Sequence, residues 1–232
     1  MASTPSKTMT GYTGHRDRLR QRFMRGGKDA LLDYELLELI LCRAIPRRDV
    51  KPLAKALIGH FGSLSAVLGA SKDRLSQVSA VSDRIICELK IVEAAALSVG
   101  QSKILGQPIL ASWQEVVSYC RTKIAEKSRE EFHVIFLDKK NKIIADERMT
   151  QGTVDHTPVY PREIIKRALE LEASALVLFH NHPSGDPAPS RADIEMTRKI
   201  MELAQGLSIR LHDHLIIGRS GDVSFKNLGL IP

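Results

Sequence analysis

The chain is poor in the features that would make it secreted, stapled or membrane-spanning. Its 3 cysteines, Cys42, Cys87 and Cys120, are odd in number, widely spaced and form no C-x-x-C pair. That argues against a disulfide framework or a zinc ribbon, so they read as reduced, mostly core, thiols. The opening stretch MASTPSKTMTGYTGHRDRLRQRF has no apolar segment of the secretory-signal kind. No apolar run approaches the roughly 18 residues of a transmembrane helix. There is no internal repeat and no low-complexity tract. The expectation is a soluble, cytoplasmic protein with no membrane partner.

What is present is ordinary globular composition, 43% hydrophobic and 26% charged over 232 residues. That length allows one large domain or two small ones. The net charge of +7 is unevenly spread: residues 1–107 hold 17 basic and 10 acidic side chains, whereas residues 108–232 hold 17 of each. An excess confined to the first half favours an acidic or nucleic-acid partner there, or simply a solvated basic face.

Patterning divides the chain in the same way. Residues 1–14 are polar with two glycines and are expected to be a disordered tail. A short basic helix follows, with Leu19 and Phe23 at i, i+4 and a stop at Gly26-Gly27. LLDYELLELILCRAI is an amphipathic helix closed by Pro46. DVKPLAKALIGHFG is another, with Asp49 as its expected N-cap. Two short helical pieces precede the long helix DRIICELKIVEAAALSVG, with Ile85, Leu89, Val92 and Ala96 on one face. Residues 15–103 therefore read as a small all-helical bundle, and residues 104–111, with Gly106 and Pro108, as a linker.

Residues 112–232 read differently. Ser112 is placed to cap a helix from Trp113, and FHVIFLD and KIIADERMTQG form a hairpin around the turn KKN. Pro161 opens a helix, and ALVLFHNH is an apolar strand of the fully buried kind. SRADIEMTRKIMELAQG is a helix with Ile194, Thr197, Ile200, Met201 and Ala204 facing inward. RLHDHLIIG and DVSFKNLG complete the chain as strands. The fold class is α+β, with an α/β character in the second half.

The stretch FHNHPSGDPAPSRAD, residues 179–193, carries the chemistry. His180 and His182 lie two apart at a strand end, so alternation points both imidazoles the same way. Three prolines and a glycine stiffen the turn that follows. Ser190-x-x-Asp193 resembles a capping box with aspartate in place of Glu or Gln. It equally returns a carboxylate beside the histidine pair. Two histidines and an aspartate make the three-ligand set of a catalytic zinc site, whose fourth position is left to water.

The string resembles the JAMM motif of the MPN-domain metalloproteases, H-x-H-P, a short loop, then S-x-x-D, at His180, His182, Pro183, Ser190 and Asp193. It is most similar to the RadC family of bacterial proteins. That resemblance extends to Gly152–Glu163, to His212–Gly218, and to the N-terminal GHRDRLRQRF and IPRRDVKPLAKAL. It implies an MPN domain, a cytidine-deaminase-like mixed sheet flanked by helices. It implies zinc held by His180, His182 and Asp193, and amide or isopeptide hydrolysis of a peptide or protein substrate. The family places a general-base glutamate two residues before the first strand's aromatic, which selects Glu130. Glu131 would point to the other face, and Glu147 and Glu163 fit less well. The family serine corresponds to Ser190, as a donor to the oxyanion, in competition with its capping duty. His212 and His214, a second H-x-H pair, read as supporting groups around the site or at the core edge. Asp155, His156, Tyr160 and Arg162 are candidates for lining the cleft.

The helical half resembles a helix-hairpin-helix module, in which glycines let backbone N–H groups approach DNA phosphates. Its hairpin here is VSAVSD, residues 78–83, with Ala80 and Ser82 where glycines would sit. The alternative reading is therefore a DNA-associated, repair- or recombination-linked protein, acting as a nuclease or a binding module through a degenerate hairpin.

Overall fold

A computed structural model describes residues 11–109, 111, 113–151 and 159–232. The first ten residues of the expected tail, the cap at Ser112, and the segment with Asp155 and His156 lie outside the described residues. The chain divides into two compact units, residues 1–93 and 94–232.

The first unit is helical, as its 3.6-residue periodicity requires. It comprises α1 (Gly11–Gly26), α2 (Asp33–Ala44), α3 (Lys51–Phe61), α4 (Leu64–Gly69), α5 (Lys72–Ser76) and the start of α6 (Asp83–Ile104). The apolar faces of α2 to α6 meet in one core that includes Leu37, Leu41, Val50, Leu57, Val67, Leu75, Ile85 and Leu89. Residues 11–14, expected to belong to a disordered tail, are instead the first turn of α1. Val50 rather than Asp49 occupies the cap of α3, although the Asp49 carboxylate still accepts a bond from the Lys51 N–H at 3.0 Å. Cys42 is buried as expected, but Cys87 is exposed.

The second unit is a five-stranded mixed sheet in the order β2-β1-β3-β4-β5. The strands are β1 (Glu131–Leu137), β2 (Ile143–Gln151), β3 (Ala175–Asn181), β4 (Arg210–Ile217) and β5 (Asp222–Ser224). β3 and β4 are parallel, joined through α9 (Arg191–Gln205), and the other pairs are antiparallel. One face, with Phe132, Val134, Leu176, Leu178 and Ile216, packs on Ile164 and Ala168 of α8 (Pro161–Glu170) and on Ile200 and Ala204 of α9. The other, with Ile135, Leu137, Val177, Phe179 and Leu215, packs on Val116, Cys120 and Ile124 of α7 (Trp113–Ile124). Coverage on both faces is why β3 is apolar without a break from Ala175 to Phe179.

Two expectations about this half are corrected. Residues 104–111 are not a free linker, because Ile104 and Ile109 are fully buried in the α7-side core and Leu105 and Pro108 form bridges to Ile143 and Lys142. Gly106 and Pro108 turn the chain there, but the two isoleucines are too apolar to leave in water. DVSFKNLG is a strand only to Ser224. The Ser224 hydroxyl accepts the Asn227 N–H at 3.1 Å and the Ser224 carbonyl that of Leu228, and this local bonding turns the chain. Among the described residues, no helix is long and apolar enough to cross a membrane.

Candidate metal centre

His180 is the sixth residue of β3, fully buried, on the sheet face that carries Leu176 and Leu178. His182 follows on the same side, just past the strand, where its N–H bonds the Ile217 carbonyl at 3.0 Å. The proline loop then returns the chain to α9. Its close seat depends on Gly218, since a Cβ there would lie 2.3 Å from the Gly185 carbonyl oxygen. Ser190 caps α9, and the capping box is complete, with Asp193 Oδ2 accepting the Ser190 N–H at 2.7 Å and its hydroxyl at 2.6 Å. The fold thus brings His180, His182 and Asp193 together as a group able to hold a metal ion.

The geometry fits a small tetrahedral cation. His180 Nε2 lies 3.0 Å from His182 Nε2 and 3.3 Å from Asp193 Oδ1, and His182 Nε2 lies 3.4 Å from Asp193 Oδ2. Ligands about 2.0–2.1 Å from a tetrahedral zinc stand roughly 3.3–3.4 Å apart.

The surrounding bonds orient the lone pairs. The Thr197 hydroxyl donates to the Asp193 carbonyl at 2.6 Å, so it must accept from His214 Nδ1 at 2.7 Å. Neutral His214 then presents a bare Nε2, which accepts from His180 Nδ1–H at 2.8 Å. His180 Nε2 is left bare, facing the centre. His182 Nδ1 donates to the Asp186 carbonyl at 2.8 Å, which leaves its Nε2 bare as well. Two imidazole lone pairs and a carboxylate therefore converge, an arrangement that repels itself unless a cation or a proton sits between them. Burial pushes the His214 pKa far down, in keeping with its neutral role. Burial would raise the Asp193 pKa, but His180, His182 and the Ser190 hydroxyl hold it well below the usual carboxylate range. The Asp193 hydrogen bond raises that of His182 against the effect of burial, with smaller contributions from the Asp186 carbonyl and from the charge of Glu130.

Two family models cover most of the chain. Residues 110–230 match the RadC-like JAB domain family, and residues 13–86 match the UPF0758 N-terminal family. The chain belongs to the RadC-like UPF0758 family. One relative, a UPF0758 protein of Rhodobacter capsulatus, is 56% identical over 213 residues, 92% of this chain and all of the relative.

The other residues expected from the sequence fall as follows. Glu130 is half-buried just before β1, near enough for its charge to act on His182. It shares strand parity with Phe132, which pairs with His180 across the ladder and stacks on it at 5.9 Å. Glu131 lies on the opposite face, bonded to His133 Nε2 at 3.1 Å and near Arg148 at 3.5 Å. Glu147 accepts from Arg167 Nε at 2.8 Å and Nη2 at 2.7 Å, and Glu163 pairs with its neighbour Arg162. His214 belongs to the group, whereas His212 bonds Asn141 Oδ1 at 2.7 Å, away from it. Tyr160 and Arg162 are exposed, with the Arg162 guanidinium over the tyrosine ring.

Two residues escaped the sequence reading. Thr197 looked like ordinary inner-face packing, and only its place beside His214 gives it a part in the site. Asn181, fully buried between the two histidines, donates to the carbonyls of Lys127 and Arg129 at 3.2 and 3.1 Å and accepts the Glu131 N–H at 2.8 Å. A buried asparagine inside H-x-H was the signal available for it.

Proposed function

We propose that this chain is a zinc-dependent hydrolase of the JAMM type, cleaving an amide or isopeptide bond in a peptide or protein. The convergence of two oriented imidazole nitrogens and a buried carboxylate carries the reading, with Glu130 near His182. His180, His182 and Asp193 would hold the metal. When bound, zinc lowers the pKa of a water toward ~7 and polarises a carbonyl. Glu130 takes the attacking water's proton and delivers it to the leaving amine. Ser190 hydrogen-bonds the oxyanion, for which its hydroxyl must turn from Asp193 Oδ2. Thr197 and His214 keep His180 in the tautomer that leaves Nε2 free.

The test combines metal analysis of the purified protein with hydrolysis of a peptide or isopeptide library. Stoichiometric zinc and a cleaved bond are expected. Both should be lost in His182→Ala, and cleavage alone should be lost in Glu130→Gln. A native protein that binds no zinc would remove the basis of this reading.

A second reading concerns the first unit, as a DNA-binding module. It is favoured by the α5–α6 hairpin, where Ala80 takes the left-handed φ of 67° that a glycine would otherwise supply. Exposed Arg18, Arg20 and Arg25 on α1 add positive charge. Duplex affinity with a steep salt dependence supports it, and salt-independent or absent binding counts against it.

A further inference from the structure

A second cleft, unrelated to the histidine group, opens at the other end of the parallel strands. It lies where α9 runs into β4, beside the β1–β2 turn, and has a volume of about 660 Å³. That is within the range of small-molecule sites. His180 sits near the carboxyl end of β3, whereas the cleft is at the amino end of β4, roughly 10–17 Å away along the strands at ~3.3 Å per residue.

Its chemistry is one-sided. Arg210, Lys226 and His212 line it, and among the described residues no lining side chain is acidic. Among the described residues, neither the Arg210 guanidinium nor the Lys226 ammonium has a hydrogen-bonding or ion-pair partner, unlike the paired Arg167, Arg121 and Lys123 of the same unit. Met201 and Ile209 supply an apolar wall.

The backbone around it is also unusual. Leu176 pairs with Leu211, but the next residue, Val177, pairs with Asp213. His212 is thus the extra residue of a bulge, and a bulge re-aims a side chain. Its Nε2–H is committed to Asn141 Oδ1 at 2.7 Å, which leaves Nδ1 available. Of the four non-glycine residues with positive φ among those described, two, Asn141 at 57° and Ser208 at 60°, stand on this rim. Such conformations cost energy and cluster at ligand sites.

We propose that this cleft binds a small organic phosphate of nucleoside-monophosphate size, with the phosphate between Arg210 and Lys226 and the apolar body against Met201 and Ile209. Two unpaired cations suit a dianion. The volume is too large for inorganic phosphate alone, and the apolar wall gives that ion nothing to contact. The proposal does not depend on the hydrolase reading.

The experiment is calorimetric titration of the full chain with AMP, adenosine and inorganic phosphate, with amide chemical-shift mapping of the bound form. AMP should bind at least tenfold more tightly than either of the others, with shifts centred on Asn141, Ser208 and His212. The double variant Arg210→Glu/Lys226→Glu should weaken AMP by about 100-fold or more, since two charge-assisted contacts become repulsive. Should that variant lose its fold, Arg210→Gln/Lys226→Gln carries the same expectation with a loss of at least about tenfold. His182→Ala should leave AMP binding unchanged. AMP binding no better than adenosine, equal binding in the charge variants, or shifts confined to the histidine group would each overturn the assignment.

Discussion

The side-chain amide of Asn181 grips the backbone on both sides of Glu130. Its Nδ2 donates to the Arg129 carbonyl at 3.1 Å and its Oδ1 accepts the Glu131 N–H at 2.8 Å. The residue between the two histidines therefore ties the segment bearing the proposed base to the strand bearing the proposed ligands. Asn181→Ala should keep its zinc, because both imidazoles remain, yet lose roughly 100-fold in turnover from misplacement of Glu130. It should also lose about 2–3 kcal/mol of stability, from the buried groups left unpaired. Metal content, turnover and urea unfolding measured on one preparation check all three. Full turnover in the variant would mean that Glu130 needs no such clamp.

Thr197 offers a separate handle on the metal. Thr197→Val removes the acceptor of the His214 Nδ1–H and frees His214 to take the other tautomer. That tautomer would put two N–H groups, those of His214 Nε2 and His180 Nδ1, against each other across 2.8 Å. Zinc affinity, read by competition with a chelator, should fall about 10–100-fold. Thr197→Ser keeps the hydroxyl and should stay near the parent value.

Metal should also stabilise the fold. Two imidazole nitrogens and a carboxylate that lie within 3.0–3.4 Å of one another repel unless a proton or a cation sits between them, and zinc fills that role with three ligands at once. At a hundredfold excess over its dissociation constant, zinc should add about 2.7 kcal/mol, seen as a rise in Tm. His182→Ala should show no such rise.

Acid sensitivity should arise at a different place, on the opposite face of the sheet. Asp146 is buried there, with Lys123 Nζ 2.5 Å and Tyr119 Oη 2.6 Å from its Oδ2, and His133 Nδ1 3.6 Å from its Oδ1. Burial works to raise its pKa, but His133, Lys123 and Tyr119 outweigh it and the pKa is lowered. A depressed carboxylate contributes stability that is fully present above its unfolded value, near 3.8, and is lost as pH falls through the folded one. Asp146→Asn should therefore cost about 3–5 kcal/mol at pH 7, as breaking a buried pair does, and progressively less below pH ~4. Denaturant midpoints across that range decide it.

Ala80 pays a conformational penalty at φ 67°. Ala80→Gly should raise stability by roughly 0.5 kcal/mol, the relief of a left-handed alanine less the extra freedom of glycine in the unfolded chain. If the hairpin also contacts DNA, the same change should tighten duplex binding, and a filter-binding titration reads that arm.

The sequence alone determined the elements and the local half of the site. Two-residue alternation placed His180 and His182 on one side of a strand, and the Ser190-x-x-Asp193 box returned a carboxylate within one turn of a helix. Parity of two separated Glu130 from Glu131. These are short-range consequences of backbone geometry, legible wherever side-chain chemistry follows strand or helix period. Tertiary structure decided the rest. The orientation of His180 depends on β4 and α9 lying beside β3, so that His214 and Thr197 complete one chain of hydrogen bonds. The clamp of Asn181 depends on β1 pairing antiparallel to β3, and the exit of His212 from the site depends on a single-residue bulge in β4. Burial of Ile104 and Ile109, read as linker, depends on the α7-side core. Spacing along the chain does not encode these, because register between strands far apart in sequence is chosen by the packing of whole faces rather than by the residues nearest the site.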